Sequence, residues 1–234
     1  MIEAVTFDFW NTIARVPPGA MTEARRQAVA AACEECGVEV EAELLMKGLE
    51  EVGQSWEDSW AAGNHLHPRE AAAMLVRALG VEGAAEELVA DAFLGAGREA
   101  ELELSPDIDT VLLALGEREV RIGIVCDVGF TRGELLRGLL EREGLLRHFG
   151  GWAFSDEVGH YKPSPQIFEA ALGALGAEPA AAMHVGDLRR TDVAGAAALG
   201  MRTARYRGMH DDPAAGVEAD VVLDSHLELL DVIA

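Results

Sequence analysis

The sequence predicts an α/β protein with a doubly wound, mostly parallel sheet and an all-helical domain inserted after its first strand. Three observations lead there. A buried-strand pattern opens the chain, a long stretch of helical periodicity follows, and strands then alternate with helices to the end. That last alternation is the signature of a parallel sheet joined by right-handed crossovers. With 234 residues, 50% of them apolar, the chain has material for one large core and a modest insertion.

Ile2 to Phe9 alternates and then runs apolar, rich in β-branched and aromatic residues, and gives way to polar residues at Asp8, Asn11 and Thr12. It reads as a buried strand carrying an aspartate at its C-terminal tip. From Pro17-Pro18-Gly19 onward, Ala20 to Gly37, Ala42 to Ala62, Arg69 to Gly80 and Ala84 to Ala100 have helix-forming composition and apolar residues at helical spacing. Ser105-Pro106 then precedes a helix over Asp107 to Leu115, with Ser105 expected as its N-cap and Pro106 at its first position. Val120 to Cys126, Trp152 to Phe154, Ala182 to Val185, Thr203 to Tyr206 and Val221 to Leu223 read as short buried strands. The first strand therefore belongs to the later sheet. The expected division is a discontinuous core, 1–14 and 105–234, with a helical cap over 15–104.

Composition narrows the function. Subtracting 41 acidic from 19 basic side chains leaves −22, a field that repels nucleic-acid backbones and anionic membranes. It also opposes a small anionic substrate, so a phosphate site needs local cations or a metal ion. No apolar run has the ~20 residues of a membrane span, and Met1-Ile2-Glu3 opens into a buried-strand pattern rather than the basic and then apolar pattern expected of a leader. Three cysteines build no disulfide framework. These features predict a cytoplasmic protein, monomer or homodimer, acting on a small molecule.

Ligands in such sheets bind at the carboxyl ends of the strands. At the first tip, Asp8 could serve as nucleophile, metal ligand or turn residue. Gly186-Asp187 ends a later strand, with Asp192 five residues on; carboxylates there and at Asp8 could share a hard cation such as Mg²⁺. Lys162 lies in Gly159-His160-Tyr161-Lys162-Pro163-Ser164-Pro165, where prolines stiffen the turn. Its ammonium would offset carboxylate repulsion, although alone it reads as a surface lysine. The fourth tip is Cys126-Asp127-Val128-Gly129, followed by Thr131-Arg132-Gly133 opening a helix whose N–H groups suit an anion.

In order and spacing, these segments resemble the haloacid dehalogenase superfamily of hydrolases. The resemblance spans nearly the whole chain: Asp8 to Thr12, the tip at Cys126, Lys162-Pro163-Ser164-Pro165-Gln166-Ile167-Phe168, and Gly186-Asp187 with Asp192. It implies a Rossmann-like core and a helical cap. Asp8 would be the nucleophile and form an aspartyl intermediate; Asp8, the backbone carbonyl of Trp10 and Asp187 would ligate Mg²⁺. Lys162 would steady nucleophile and transferred group, with Gly186 and Asp192 in support. Trp10, Asn11, Thr12, Cys126, Asp127, Val128 and Lys162 would surround the phosphate.

The sequence also departs from that pattern. Where the superfamily's phosphatases carry a second aspartate that protonates the leaving oxygen, this chain has Trp10. Indole is no general acid, and loss of proton donation costs ~10²–10⁴ in rate. Cys126 replaces a hydroxyl with a weaker thiol donor, and Asp127 adds negative charge. A Mg²⁺-dependent phosphatase acting on a small phosphomonoester through Asp8 is the leading expectation. One alternative is a metal-independent dehalogenase using the same aspartate, since halide leaves without a proton. Another is a weakly active or inactive protein binding a ligand or partner. Cys33-Glu34-Glu35-Cys36 has metal or redox spacing but lies in a predicted helix with no second pair. Trp56 and Trp60, four apart, are expected to pack or to shape a substrate pocket.

Overall fold

The computed structural model describes residues 1–233. In chain order the strands are β1 (Ala4–Phe7), β2 (Ala14–Arg15), β3 (Glu103–Leu104), β4 (Arg121–Cys126), β5 (Gly151–Phe154), β6 (Ala182–Gly186), β7 (Arg202–Tyr206) and β8 (Val221–Leu223). The helices are α1 (Ala20–Glu35), α2 (Ala42–Ala61), α3 (Pro68–Ala78), α4 (Ala85–Gly95) and α5 (Ile108–Glu117). They continue with α6 (Gly133–Arg142), α7 (Ser155–Val158), α8 (Pro165–Leu175), α9 (Ala194–Ala198) and α10 (Leu229–Val232). None among the described residues is long and apolar enough to cross a membrane.

Two compact units divide the chain. One comprises Met1–Arg15, Leu102–Asp127 and the chain from Leu140 onward; the other comprises Val16–Glu101 and Val128–Leu139. Within the first, a six-stranded sheet runs β5-β4-β1-β6-β7-β8, and every neighbouring pair is parallel. Apart from β7, its strands are mostly apolar, as strands of a parallel sheet are. Val5, Phe7, Ile124 and Val185 are fully buried. On one face Ile167, Phe168 and Leu172 of α8 pack against Ala4, Val125 and Ala153.

Strand order reverses around β1, which lies between β4 and β6, and a crevice at such a switch point is where ligands bind. Register aligns the tips: Phe7 pairs with Ile124 on one side and Val185 on the other. Asp8 stays tied to the sheet edge through its N–H, which donates to Val185 O at 2.8 Å.

The second unit is helical. Val29 and Cys33 of α1, Leu45, Leu49 and Val52 of α2, Ala71 and Leu75 of α3, and Val89, Phe93 and Leu94 of α4 form its core, with Phe130 packed against them. Sequence reading assigns 128–139 to the core, whereas in the structure these residues group with the helices. Gly129 explains the entry of this segment: its φ of +56° is left-handed, and a Cβ there would stand 3.7 Å from the Trp56 ring.

Two local expectations are corrected. Ser105 is not the N-cap of α5; that helix starts at Ile108 after Asp107, whose φ is +60°. Ser105 Oγ instead bonds the Tyr206 hydroxyl at 2.6 Å, a buried pairing that satisfies both. The helix expected over Ala84 to Ala100 ends at Gly95. The antiparallel pair β2–β3 was not foreseen, because two-residue strands carry no readable alternation.

Candidate active site

Two strand tips of the sheet unit bring carboxylates together. Ligand oxygens of Asp8, Asp187 and Asp192 all lie within 4.8 Å of one another, and all three residues are buried. Asp8 follows β1, Asp187 follows β6, and Asp192 lies in a π-helical turn, Arg189–Val193, that leads into α9. Widened turns of this kind recur at functional sites.

Lys162 enters from the loop before α8, and only 3% of it is exposed. Its Nζ donates to Asp8 Oδ1 at 2.5 Å and to Asp192 Oδ1 at 2.7 Å. Asp127 fixes the lysine backbone, accepting from Lys162 N–H at 2.9 Å. The stiff turn anticipated from the prolines thus carries a cation held at backbone and side chain alike.

Asp192 is fully committed. Besides Lys162, His184 Nε2 reaches its Oδ1 at 3.1 Å, and Leu188 N–H donates to Oδ2 at 2.9 Å. Thr6 Oγ1 lies 2.9 Å from His184 Nδ1. Since the carboxylate needs a donor, Nε2 carries the proton and Nδ1 accepts from the threonine hydroxyl. Burial pushes the His184 pKa down, which keeps the ring neutral. Gly186 is required here: a Cβ on it would stand 2.3 Å from Asp192 Cγ.

Electrostatics separate the three acids. Burial alone would raise Asp192, but Lys162 and His184 outweigh it and hold the carboxyl well below its usual range. Burial, reinforced by Asp192 and Asp127 and opposed by Lys162, raises Asp8 to about 7. Asp187 rises to about 9 through burial and the negative charge of Asp8 and Asp192. Burial would lower Lys162, yet the surrounding carboxylates keep it protonated. Ionising all three carboxyls against one ammonium would leave an excess of negative charge, which an added cation would relieve.

The donor set suits such a cation. Lys162 takes one oxygen of Asp8, and His210 Nδ1 takes Asp187 Oδ2 at 2.7 Å, leaving the other oxygen of each without a side-chain partner among the described residues. Hard oxygen donors of this kind match Mg²⁺. With both its oxygens occupied, Asp192 acts as a support.

The remaining predicted residues occupy the same unit except Val128, which is buried and belongs to the helical unit. Trp10 is half-buried, bridges to Ala14 through its backbone and meets Phe9 edge-on at 4.7 Å. Asn11 takes a left-handed φ of +58°, turning the chain back after Asp8. Thr12 Oγ1 is buried without a hydrogen-bond partner. Cys126 is buried at the β4 tip, where burial and the nearby Asp8 push its thiol pKa well up. Sequence reasoning assigned no role to Thr6, His184 or His210. A histidine inside an apolar strand was the one available signal for His184; His210, distant in sequence from every motif, offered none.

Elsewhere, Cys33 and Cys36 are free thiols on and just past α1. Trp56 and Trp60 stack at 5.8 Å. His67 caps α3, its Nδ1 accepting from Arg69 N–H at 3.1 Å. A cavity of about 530 Å³ lined by residues including Cys33, Val38 and Leu45 belongs to the helical unit and is lined by none of Asp8, Asp187 and Asp192.

A parallel sheet whose strand tips gather carboxylates around one buried lysine is the frame of an α/β hydrolase. Residues 2–200 match the haloacid dehalogenase-like hydrolases, and the chain belongs to that family. It is 32% identical to a glyceraldehyde 3-phosphate phosphatase of Methanopyrus kandleri, the alignment covering 100% of this chain and 97% of the relative. A ribulose-1,5-bisphosphate 5-phosphatase of Halopiger xanaduensis is 28% identical over the full length of both. Among solved structures, a 2-haloacid dehalogenase from Pseudomonas syringae superposes with a TM-score of 0.73 at 22% identity, over 100% of this chain and 98% of that one.

Proposed function

We propose that the protein is a Mg²⁺-dependent phosphatase of small phosphomonoesters that works through an aspartyl-phosphate on Asp8. The observation that carries this reading is the Lys162 ammonium held between Asp8 and Asp192 with Asp187 alongside. Full-length relatives named for glyceraldehyde 3-phosphate and ribulose-1,5-bisphosphate support a small phosphorylated carbohydrate as substrate.

In the proposed reaction, the Asp8 carboxylate, steadied by Lys162, attacks phosphorus. The bond to the leaving oxygen breaks as the acyl-phosphate bond forms, the leaving oxygen takes its proton from water, and a second water then hydrolyses the acyl phosphate, returning the carboxylate and releasing phosphate. The Thr12 hydroxyl, buried without a partner, suits a transferring-group oxygen. Mg²⁺ bound by Asp8, the Trp10 carbonyl and Asp187 would supply charge neutralisation between two anionic reactants. Lys162 contributes a second, permanent positive charge. Asp192, His184 and Thr6 hold the ammonium in place. Three free cysteines fit a reducing, cytoplasmic setting.

The test is hydrolysis of an activated aryl phosphate with Mg²⁺. Activity is expected to vanish with chelator and with Asp8→Asn, and turnover of ³²P-labelled substrate should leave label on the wild-type chain alone. Hydrolysis that survives Asp8→Asn would overturn the reading. Trp10 favours a second reading, a dehalogenase using the same aspartate, and halide release from a 2-haloacid that persists under chelation would establish it. Trp10→Asp separates the two further. If a missing acid limits phosphoryl transfer, this variant should gain ~10²–10⁴ in rate on poor leaving groups and little on aryl phosphates.

A further inference from the structure

Arg25, on α1 of the helical unit, is a buried cation without an anionic partner. Only 9% of the residue is exposed. Its guanidinium lies 5.6 Å from the centroid of the Phe93 ring and 5.2 Å from that of Phe130. Nη2 donates to Thr131 Oγ1 at 3.0 Å, and that hydroxyl is buried too. Nε is buried with no acceptor, and among the described residues no carboxylate pairs with this side chain. Burial draws its pKa down to about 10, so it stays charged at neutral pH.

Burying an unpaired charge is costly, and two aromatic faces and one hydroxyl offset only part of that cost. Packing does not require it, since an unbranched apolar side chain would fill the same space between the rings without the penalty. Arg25 also stands out in a chain of net charge −22, where the other cations could find carboxylates readily. The surroundings are built. Trp56 meets Phe130 edge-on at 6.2 Å and stacks on Trp60, and left-handed Gly129 carries the chain past the indole into Phe130 and Thr131.

We propose that Arg25 and Thr131 form an oxyanion-binding site within the helical unit, taking the carboxylate or phosphate group of a small molecule. A guanidinium fork meets two oxygens of such a group at once. Thr131 accepts from Arg25 through its oxygen and keeps its own proton to donate to the anion. The aromatic walls exclude water and strengthen both interactions. This site does not depend on the chemistry assigned to Asp8.

The test uses the full chain without metal, titrated in parallel with malonate and with inorganic phosphate, and read by calorimetry and tryptophan fluorescence. Saturable binding of at least one anion is expected. It should weaken at least tenfold in Arg25→Met and Arg25→Gln and several-fold in Thr131→Val, while malonate binding persists in Asp8→Asn. The anion with the larger Arg25-dependent change identifies the ligand class. Arg25→Met should unfold at the same urea concentration as wild type or higher, as expected when a charge kept for a ligand is removed. Three results would overturn the site: no saturable binding, binding lost in Asp8→Asn but kept in the Arg25 variants, or a destabilised Arg25→Met with unaltered binding in Thr131→Val. Because Asp8→Asn alone tests the phosphatase reading, the two proposals fail separately.

Discussion

Gly186 and Lys162 show how little freedom single positions have around the carboxylates. An alanine at 186 would push its Cβ to 2.3 Å from Asp192 Cγ, and Asp192 cannot retreat because Lys162, His184 and the Leu188 N–H all hold it. Gly186→Ala should therefore lose ~1–3 kcal/mol of stability, visible as a lower urea midpoint. Lys162→Met leaves buried carboxylates without their cation. A loss of ~3–5 kcal/mol is expected, and added Mg²⁺ should restore part of it by binding the vacated negative charge. At this scale the motif residues were legible because chemistry restricts which side chains can stand at a strand tip. Thr6, His184 and His210 escaped notice because their meaning lies in contacts across long sequence separations, as with Thr6 and His184.

Elements convert those positions into a fixed frame, and His226 illustrates how. It is fully buried, stacks on Tyr206 at 3.9 Å, meets Phe7 edge-on, and Nε2 donates to the carbonyl of Thr12 at 2.9 Å. It thereby anchors the loop that follows Asp8. Burial draws its pKa down to about 4, against about 6.5 in an unfolded chain. Protons then bind the unfolded state preferentially, so this contribution is complete above pH ~6.5 and drains away as pH falls towards 4. The loss amounts to ~3 kcal/mol. Urea titrations at pH 7 and pH 5 should show a smaller drop in His226→Gln than in wild type, and the difference isolates the imidazole from the carboxylates titrating nearby. Equal drops would remove His226 from the account. The strands and long helices were readable in the sequence because each repeats its period over several residues. Ser105 misled because a serine before a proline has a strong local meaning as a cap, and a tertiary bond to Tyr206 overrode it.

For the whole molecule, the net charge of −22 sets the terms on which an anion arrives. Raising salt from ~10 to ~150 mM shortens the screening length from about 30 to about 8 Å. KM for a phosphomonoester should fall several-fold with kcat nearly constant, and a KM that rises with salt would mean that local cations dominate encounter. The sequence shows a change of period from strand to helix and back, and 128–139 groups with the helical unit, where Phe130 packs against the helical core. The small β2–β3 ribbon has a consequence of its own. It clamps Ala14 to Leu104 and Arg15 to Glu103, so the backbone leaves the sheet unit and returns to it side by side, like two wires through one grommet. Whatever length of polypeptide is threaded between those points, the strand carrying Asp8 keeps its register. Evolution could therefore trade one such module for another, altering what the protein selects without rebuilding the machinery that acts.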